Sequence, residues 1–295
     1  MNMRCLDAAW LADNPLPYPD PDSDKNARGR VLVIGGANFV PGALRLTGEA
    51  ALRVGAGKLQ LATVESVSMS LGVLMPEAAM ITLPADSQGE IDINAATELD
   101  AAIDGCDAMI LGPGMSDGDD TTGFVERLLR QRRKGLTVVL DAAAIASAKA
   151  LTSVISGHEG RLVMTPHMGE MSALINQPIA TIRRSPETFA TEAATTFNSV
   201  VVLKASKTVI ASPEGYGLTI TGNCVGLATS GSGDVLAGII GGLLARGASP
   251  IAAAAWGVWL HNAAGKKLSE TMGIGFLARE LLAEIPLILH QLRAD

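Results

Sequence analysis

Apolar residues fall along this chain in short unbroken runs rather than in strict alternation: residues 31–34, 108–111, 137–140, 162–164 and 200–203 each gather three or four of them. Strands of that kind are apolar on both faces, which suits the interior of a parallel sheet covered on both sides. Residues 209–210, just past a polar turn, read as a further strand. Between the runs, residues 43–54, 121–133 and 186–197 carry helical spacing. The alternation predicts an α/β fold, with a mostly parallel central sheet and helices on both faces.

From residue 235 onward the pattern becomes three helical stretches, 235–245, 251–268 and 276–292, rich in small residues and joined by Gly- and Pro-containing turns. Residues 1–29, with Pro15, Pro17, Pro19 and Pro21, read as an N-terminal lead-in with little core-forming power, so structure is expected to start at Arg30. No internal repeat or interior linker interrupts residues 30–295, which read as a single domain.

Composition narrows the function classes. Lys and Arg number 23 against 30 Asp and Glu, a formal net charge of −7, which argues against an electrostatic nucleic-acid footprint. Five Phe, three Trp and two Tyr offer few stacking platforms for single strands. Cys5, Cys106 and Cys224 are widely spaced with no C-x-x-C pair, so neither a disulfide framework nor a zinc site is indicated and a reducing cytoplasm is expected. No apolar run reaches the roughly 18 residues of a membrane span, and the first residues lack the two regions of a secretory signal, so the chain is expected to act as written. The expected partners are small molecules.

The candidate chemistry sits where strands end. Gly35-Gly36, Gly112-Pro113-Gly114, Asp141, Thr165-Pro166-His167 and Lys204 close five of the apolar runs. In an open parallel sheet the carboxyl ends of the strands form the ligand crevice, so these endings are expected to line one site. Thr229-Ser230-Gly231-Ser232-Gly233-Asp234 leads directly into an apolar helical stretch. Glycines allow successive N–H groups to face one point, and the helix start adds partial positive charge, a combination that favours an anion. An ordinary helix cap by Ser232 or Asp234 is the plainer reading, but a cap requires neither Gly231 nor Gly233. A carboxylate beside a bound phosphate is repelled unless it has a task, and accepting the proton of a hydroxyl that attacks phosphorus is such a task for Asp234. Lys204-Ala205-Ser206-Lys207-Thr208 offers two ammonium groups and two hydroxyls to phosphate oxygens, or is simply a solvated hairpin turn. His167 can donate a ring N–H to a ligand, although a lone His is more often a surface or satisfied core residue; Glu170 reads as an acidic residue in a first helical turn.

In order, these motifs resemble the ADP/ATP-dependent (S)-NAD(P)H-hydrate dehydratases, a branch of the ribokinase-like superfamily, from about Gly29 to Pro286. The pieces are the 31–36 run, Pro41-Gly42-Ala43, the 50–57 segment ending Gly55-Ala56-Gly57, Gly112-Pro113-Gly114, Thr165-Pro166-His167, Val202-Leu203-Lys204 with Thr208, and Thr221-Gly222-Asn223 leading into the Gly231 to Leu236 run. The resemblance implies a ribokinase-like fold and repair of hydrated NADH or NADPH. A nucleotide, ADP or ATP with Mg2+, phosphorylates the C6 hydroxyl, and phosphate then leaves. It implies that Ala43, Gly114, His167 and Asp234 contact the hydrated dinucleotide. Lys204, Ala205, Ser206, Lys207, Thr208 and Gly233 hold the adenine nucleotide, Gly231, Ser232 and Gly233 form the anion hole, and Asp234 is the base. It further implies a homotetramer and an NAD(P)HX epimerase on a separate chain, since the lead-in is too short to form one.

The sequence departs from that family at several positions. Asp141-Ala142-Ala143 stands where Asp-Ala-Asp is usual, so Ala143 lacks a carboxylate that could serve magnesium or the nucleotide loop. Met168 replaces a Pro, and Ala205 and Lys207 occupy positions where Gly is common. Lys207 is expected to add a phosphate contact, and Ala205 to be unfavourable if its φ is positive. Two other functions fit the same residues: a vitamin-precursor type of small-molecule kinase from the same superfamily, and a non-catalytic nucleotide-binding regulator.

Overall fold

The computed structural model describes residues 2–222 and 224–294; Asn223 of the Thr221-Gly222-Asn223 motif lies outside the described residues. Ten strands form one sheet: β1 (Asn2–Cys5), β2 (Arg30–Ile34), β3 (Lys58–Val64), β4 (Ala78–Leu83), β5 (Ala108–Leu111), β6 (Thr137–Leu140), β7 (Leu162–Met164), β8 (Val200–Leu203), β9 (Lys207–Ala211) and β10 (Tyr216–Thr221). Their order is β1-β10-β9-β8-β7-β6-β5-β2-β3-β4. All pairings from β4 across to β8 are parallel, β9 is antiparallel to both neighbours, and β1 joins β10 in parallel. Every residue of β5, β7 and β8 is buried, as their unbroken apolar runs require.

Chain order runs outward in opposite directions from the β2/β5 pair, through β3 and β4 on one side and through β6, β7 and β8 on the other. That reversal is where an open α/β sheet splits its connections and leaves a crevice at the strands' carboxyl ends. Helices Gly42–Arg53, Ser232–Ala245, Pro250–Met272 and Ala278–Ala294 pack against one another, and the helices between β5 and β8 form a second packed group. The C-terminal stretches are therefore helices, as their spacing suggests. The helix expected over 121–133 instead spans Asp119–Leu129.

The lead-in departs from expectation. Residues 1–29 contain β1 and a helix, Ala8–Asp13, and they bury Leu6, Trp10 and Leu11. The Trp10 indole N–H donates to the Tyr216 hydroxyl at 2.6 Å and the Leu6 N–H to the Thr219 carbonyl at 2.8 Å, fastening the segment to β10. Farther on, the Trp256 indole N–H donates to the Asn14 carbonyl at 2.7 Å. Local composition hides this because four prolines dominate 15–21, whereas the anchoring contacts come from residues more than 200 positions away.

Candidate active site

The loops at the carboxyl ends of β2 and β5 interlock. The Gly36 N–H donates to the Pro113 carbonyl at 2.8 Å. Gly114 has φ +71°, and a Cβ there would stand 2.7 Å from the Val40 carbonyl oxygen and 3.0 Å from the Ala43 Cβ. Only glycine satisfies both that backbone region and that closeness. Ala43 lies in the first turn of the Gly42–Arg53 helix, and Leu46 on the same helix reaches the Gly231–Asp234 turn: a Cβ on Gly231 (φ +85°) would lie 2.5 Å from the Leu46 Cδ1. The two expected substrate contacts, Ala43 and Gly114, are thus brought together and joined to the Gly231–Asp234 turn.

On the other side of the crevice the centre is an ion pair. Asp141 follows β6, and its N–H extends the register by donating to the Leu111 carbonyl at 3.1 Å. Ala142 then turns the chain into the Ala143–Ala148 helix with φ +48° and ψ −124°. A residue with a Cβ holds such a backbone at a cost of about 1–3 kcal/mol, and strain of this kind concentrates where a neighbouring side chain must be aimed. The neighbour is Asp141: its Oδ1 accepts from the Thr165 hydroxyl at 2.6 Å and from the Lys204 ammonium at 2.9 Å. Ala143 is buried at the start of the helix, so that turn's only carboxylate is Asp141.

Pro166 ends β7 because it has no N–H to offer. Its carbonyl instead accepts the Lys204 N–H at 2.8 Å, which carries the β7–β8 register out to the site. His167 caps the Met168–Ile175 helix. Its Nδ1 accepts from the N–H groups of Gly169 (2.9 Å) and Glu170 (3.1 Å), while the Glu170 carboxylate accepts the His167 N–H at 2.7 Å. With Nδ1 used as acceptor, the proton of the neutral ring sits on Nε2. His167 therefore has the donor expected of it. Glu170 does more than favour a helix start, because it also faces Lys204.

The helix Ser232–Ala245 begins over this ion pair. A Cβ on Gly233 would stand 3.4 Å from the Lys204 Nζ and 3.8 Å from the Asp141 Oδ2. No side chain caps that helix; the Ser232 N–H donates to the Thr229 carbonyl at 3.3 Å and the Val235 N–H to the Gly231 carbonyl at 3.1 Å, so the N–H groups between them, those of Gly233 and Asp234, are the ones placed to meet a ligand. Burial, reinforced by the negative charge of Asp141 and only partly offset by Lys204, pushes the Asp234 carboxyl up to about 7. Burial also raises Glu170, with Lys204 pulling the other way. Burial works against the charge of Lys204 itself, but Asp141, Glu170 and Asp234 outweigh it and hold the ammonium above the ordinary lysine range. Asp234 at about 7 is half ionised at neutral pH, the condition in which a carboxylate works best as a general base.

Of the turn expected to hold nucleotide, Lys204 points into the site. Gly222 closes the turn through its N–H to the Ser206 carbonyl at 2.9 Å, and the Thr208 hydroxyl donates to the Ala205 carbonyl at 3.1 Å. The ammonium of Lys207, of which a phosphate contact is expected, is engaged by Glu187. Ala205 is not among the residues with positive φ, so the backbone cost anticipated there does not arise. A cavity of about 950 Å³ lies at the opposite end of the Ser232–Ala245 helix beside Arg246, Tyr18 and His290, away from this chemistry.

The sequence matches the NAD(P)H-hydrate dehydratase family model over residues 31–287. The chain belongs to that family. An ADP-dependent (S)-NAD(P)H-hydrate dehydratase of Xanthomonas campestris is 44% identical over 292 residues, covering 98% of this chain and 97% of the relative. A bifunctional NAD(P)H-hydrate repair enzyme of Moorella thermoacetica is 36% identical; this chain spans 55% of its length. The Bacillus subtilis ADP/ATP-dependent NAD(P)H-hydrate dehydratase, co-crystallised with ATP and Mg2+, superposes with a TM-score of 0.83 at 27% identity, covering 99% of each chain. The fold is thus the ribokinase-like one of this dehydratase family. No helix among the described residues is long and apolar enough to cross a membrane.

Proposed function

We propose that this site carries out ADP-dependent dehydration of (6S)-NADHX and NADPHX, with Asp234 as the base. The observation that carries the reading is the placement of the half-buried Asp234 carboxyl, pushed up to about 7, on the first turn of an uncapped helix beside the Lys204–Asp141 pair. Asp234 takes the proton of the C6 hydroxyl as its oxygen attacks the terminal phosphorus of ADP and the bond to AMP breaks. Phosphate then departs from C6 with the C–O bonding pair, and loss of a proton from C5 restores the ring double bond, so AMP and inorganic phosphate are released. A poor leaving group has become a good one.

The nucleotide is held by Lys204, Ala205, Ser206, Lys207, Thr208 and Gly233, and the dinucleotide by Ala43, Gly114, His167 through Nε2–H, and Asp234. Gly231, Ser232 and Gly233 stabilise charge on the phosphoryl group in flight, each such donor contributing roughly 3 kcal/mol.

Three carboxylates surround one ammonium here, an excess of negative charge that would repel polyphosphate unless a cation arrives with it. No group of three or more His, Cys, Asp and Glu side chains able to hold a metal is found among the described residues. That donor set fits Mg2+ carried on the nucleotide, which needs only one or two protein carboxylates. Asp141 is the residue to hold it, and the metal would neutralise charge on the phosphoryl oxygens. An epimerase on a separate chain, a homotetrameric assembly, one domain over 30–295 to which the 1–29 segment adds β1 and a helix, and a cytoplasmic setting complete the proposal.

The test mixes protein, ADP, Mg2+ and hydrated NADH and follows the return of dihydronicotinamide absorbance. Absorbance returning together with stoichiometric phosphate supports the reading. A stable phosphorylated product with no absorbance would instead identify a kinase, and no turnover with either ADP or ATP would overturn catalysis altogether.

A further inference from the structure

His261 lies within the long helix Pro250–Met272, which packs against the Ser232–Ala245 helix, and nothing in the chemistry above uses it. Its Nε2 is 3.0 Å from the carbonyl oxygen of Ser232 and 2.9 Å from the hydroxyl oxygen of the same residue. A carbonyl can only accept, so Nε2 must carry the ring proton. A nitrogen that donates has no lone pair left in the ring plane, so the Ser232 hydroxyl cannot donate to it and shares the same N–H as a second acceptor. The hydroxyl's own proton is then directed elsewhere. Ser232 is buried, and it is the first residue of the helix that opens over Lys204. Burial, to which the charge of Lys204 adds, pushes the imidazole down to about 4, so the ring stays neutral and its Nε2–H persists across the working pH range.

We propose that His261 is a positioning residue for phosphoryl transfer: its Nε2–H pins the Ser232 carbonyl and hydroxyl together, fixing the Gly231–Gly233 turn and leaving the Ser232 O–H to donate to the phosphoryl group. Donors aimed in advance at the charge that develops in a transition state act mainly on the rate of the chemical step. Outer partners that orient such groups typically matter by one to two orders of magnitude. The proposal rests on the reading of Gly231, Ser232 and Gly233 as the anion hole.

Its test compares His261→Phe, which keeps a ring without the donor, His261→Asn, whose amide falls short of Nε2, and His261→Gln, whose amide N–H reaches to about the same place. Activity is followed with ADP, Mg2+ and hydrated NADH. We expect Phe and Asn to lower kcat about 10–100-fold with KM for ADP within about threefold of wild type, and Gln to recover to within about threefold of the wild-type kcat. Should the Phe variant fail to fold, the Asn and Gln pair carries the same contrast. Wild-type kcat in either Phe or Asn, or a folded Gln variant no better than Asn, overturns the role of His261. Ser232→Ala separates the two levels. If it loses kcat while the His261 variants keep it, only the positioning role fails. If it keeps kcat, the hydroxyl's part and the anion-hole reading of Ser232 fail together.

Discussion

The two ends of the Ser232–Ala245 helix are built on opposite principles. At its C-terminus the polar groups are spent. Arg246 donates through one guanidinium nitrogen to the Val54 carbonyl at 2.5 Å and through another to the Pro17 carbonyl at 2.8 Å, tying the N-terminal segment to the body of the protein. At its N-terminus they are held in reserve. No side chain caps the first turn, a carboxyl is kept near neutrality by burial and a like charge, and an ammonium waits beside three carboxylates. One helix thus contributes stability at one end and chemistry at the other, and the chemical end is the destabilising one because buried, incompletely neutralised groups cost free energy.

That contrast can be broken first at Asp234. Asp234→Asn is expected to lower turnover by about 10²–10⁴-fold while nucleotide binding, measured by calorimetry, survives. The same substitution is expected to stabilise the fold. The folded-state value near 7 lies above the ordinary aspartate value of 3.8, so the wild-type contribution is fully present below the unfolded value and lost as pH rises through 7. Melting temperatures should therefore coincide near pH 4 and diverge in favour of Asn up to about pH 7, by a few degrees.

Lys204→Met comes next, with an expected loss of about 10²–10³-fold in kcat. Here stability should fall as well, by roughly 3 kcal/mol in a chemical-denaturation series, because Asp141 is left buried without its cation. A smaller and more diagnostic effect is the pH profile. Wild-type kcat/KM should rise through an ascending limb near pH 7 and level off above it, and a limb near 4 would remove Asp234 as the titrating base. The least effect on activity belongs to the other end of the helix. Arg246→Ala should cost about 1–3 kcal/mol of stability by leaving two carbonyls without that donor, with kcat unchanged. A matching drop in kcat would mean that the two ends are coupled after all.

Five strands were legible from their unbroken apolar runs because burial on both faces leaves no alternation to obscure. β1, β3, β4 and β10 were not. β4 is an edge strand with most of its residues partly exposed, and Gly217 and the threonines of β10 dilute its apolar signal. At the site, Asp234, Lys204 and the glycine turn announced themselves by residue type and spacing. Glu170 was visible only as an acidic residue in a first helical turn, since its second partner, Lys204, comes from another strand. His261 gave no signal at all, lying in the interior of a long helix 29 positions from the serine it contacts.

The sequence by itself determined the α/β layering, the parallel run of strands, the glycine turn that opens the Ser232–Ala245 helix and the family, because each depends on local periodicity or on short motifs whose spacing is physically constrained. Tertiary structure decided which of those groups act together. Asp141, Thr165 and Lys204 converge only because three parallel strands stop at one edge, and Lys207 is withdrawn to Glu187 only because a helix passes beside it. The value near 7 at Asp234 belongs to neither the residue nor its motif, since it arises from desolvation and from a charge that sits 93 positions earlier in the chain. Fields and burial depend on distance in space, which residue order alone does not supply.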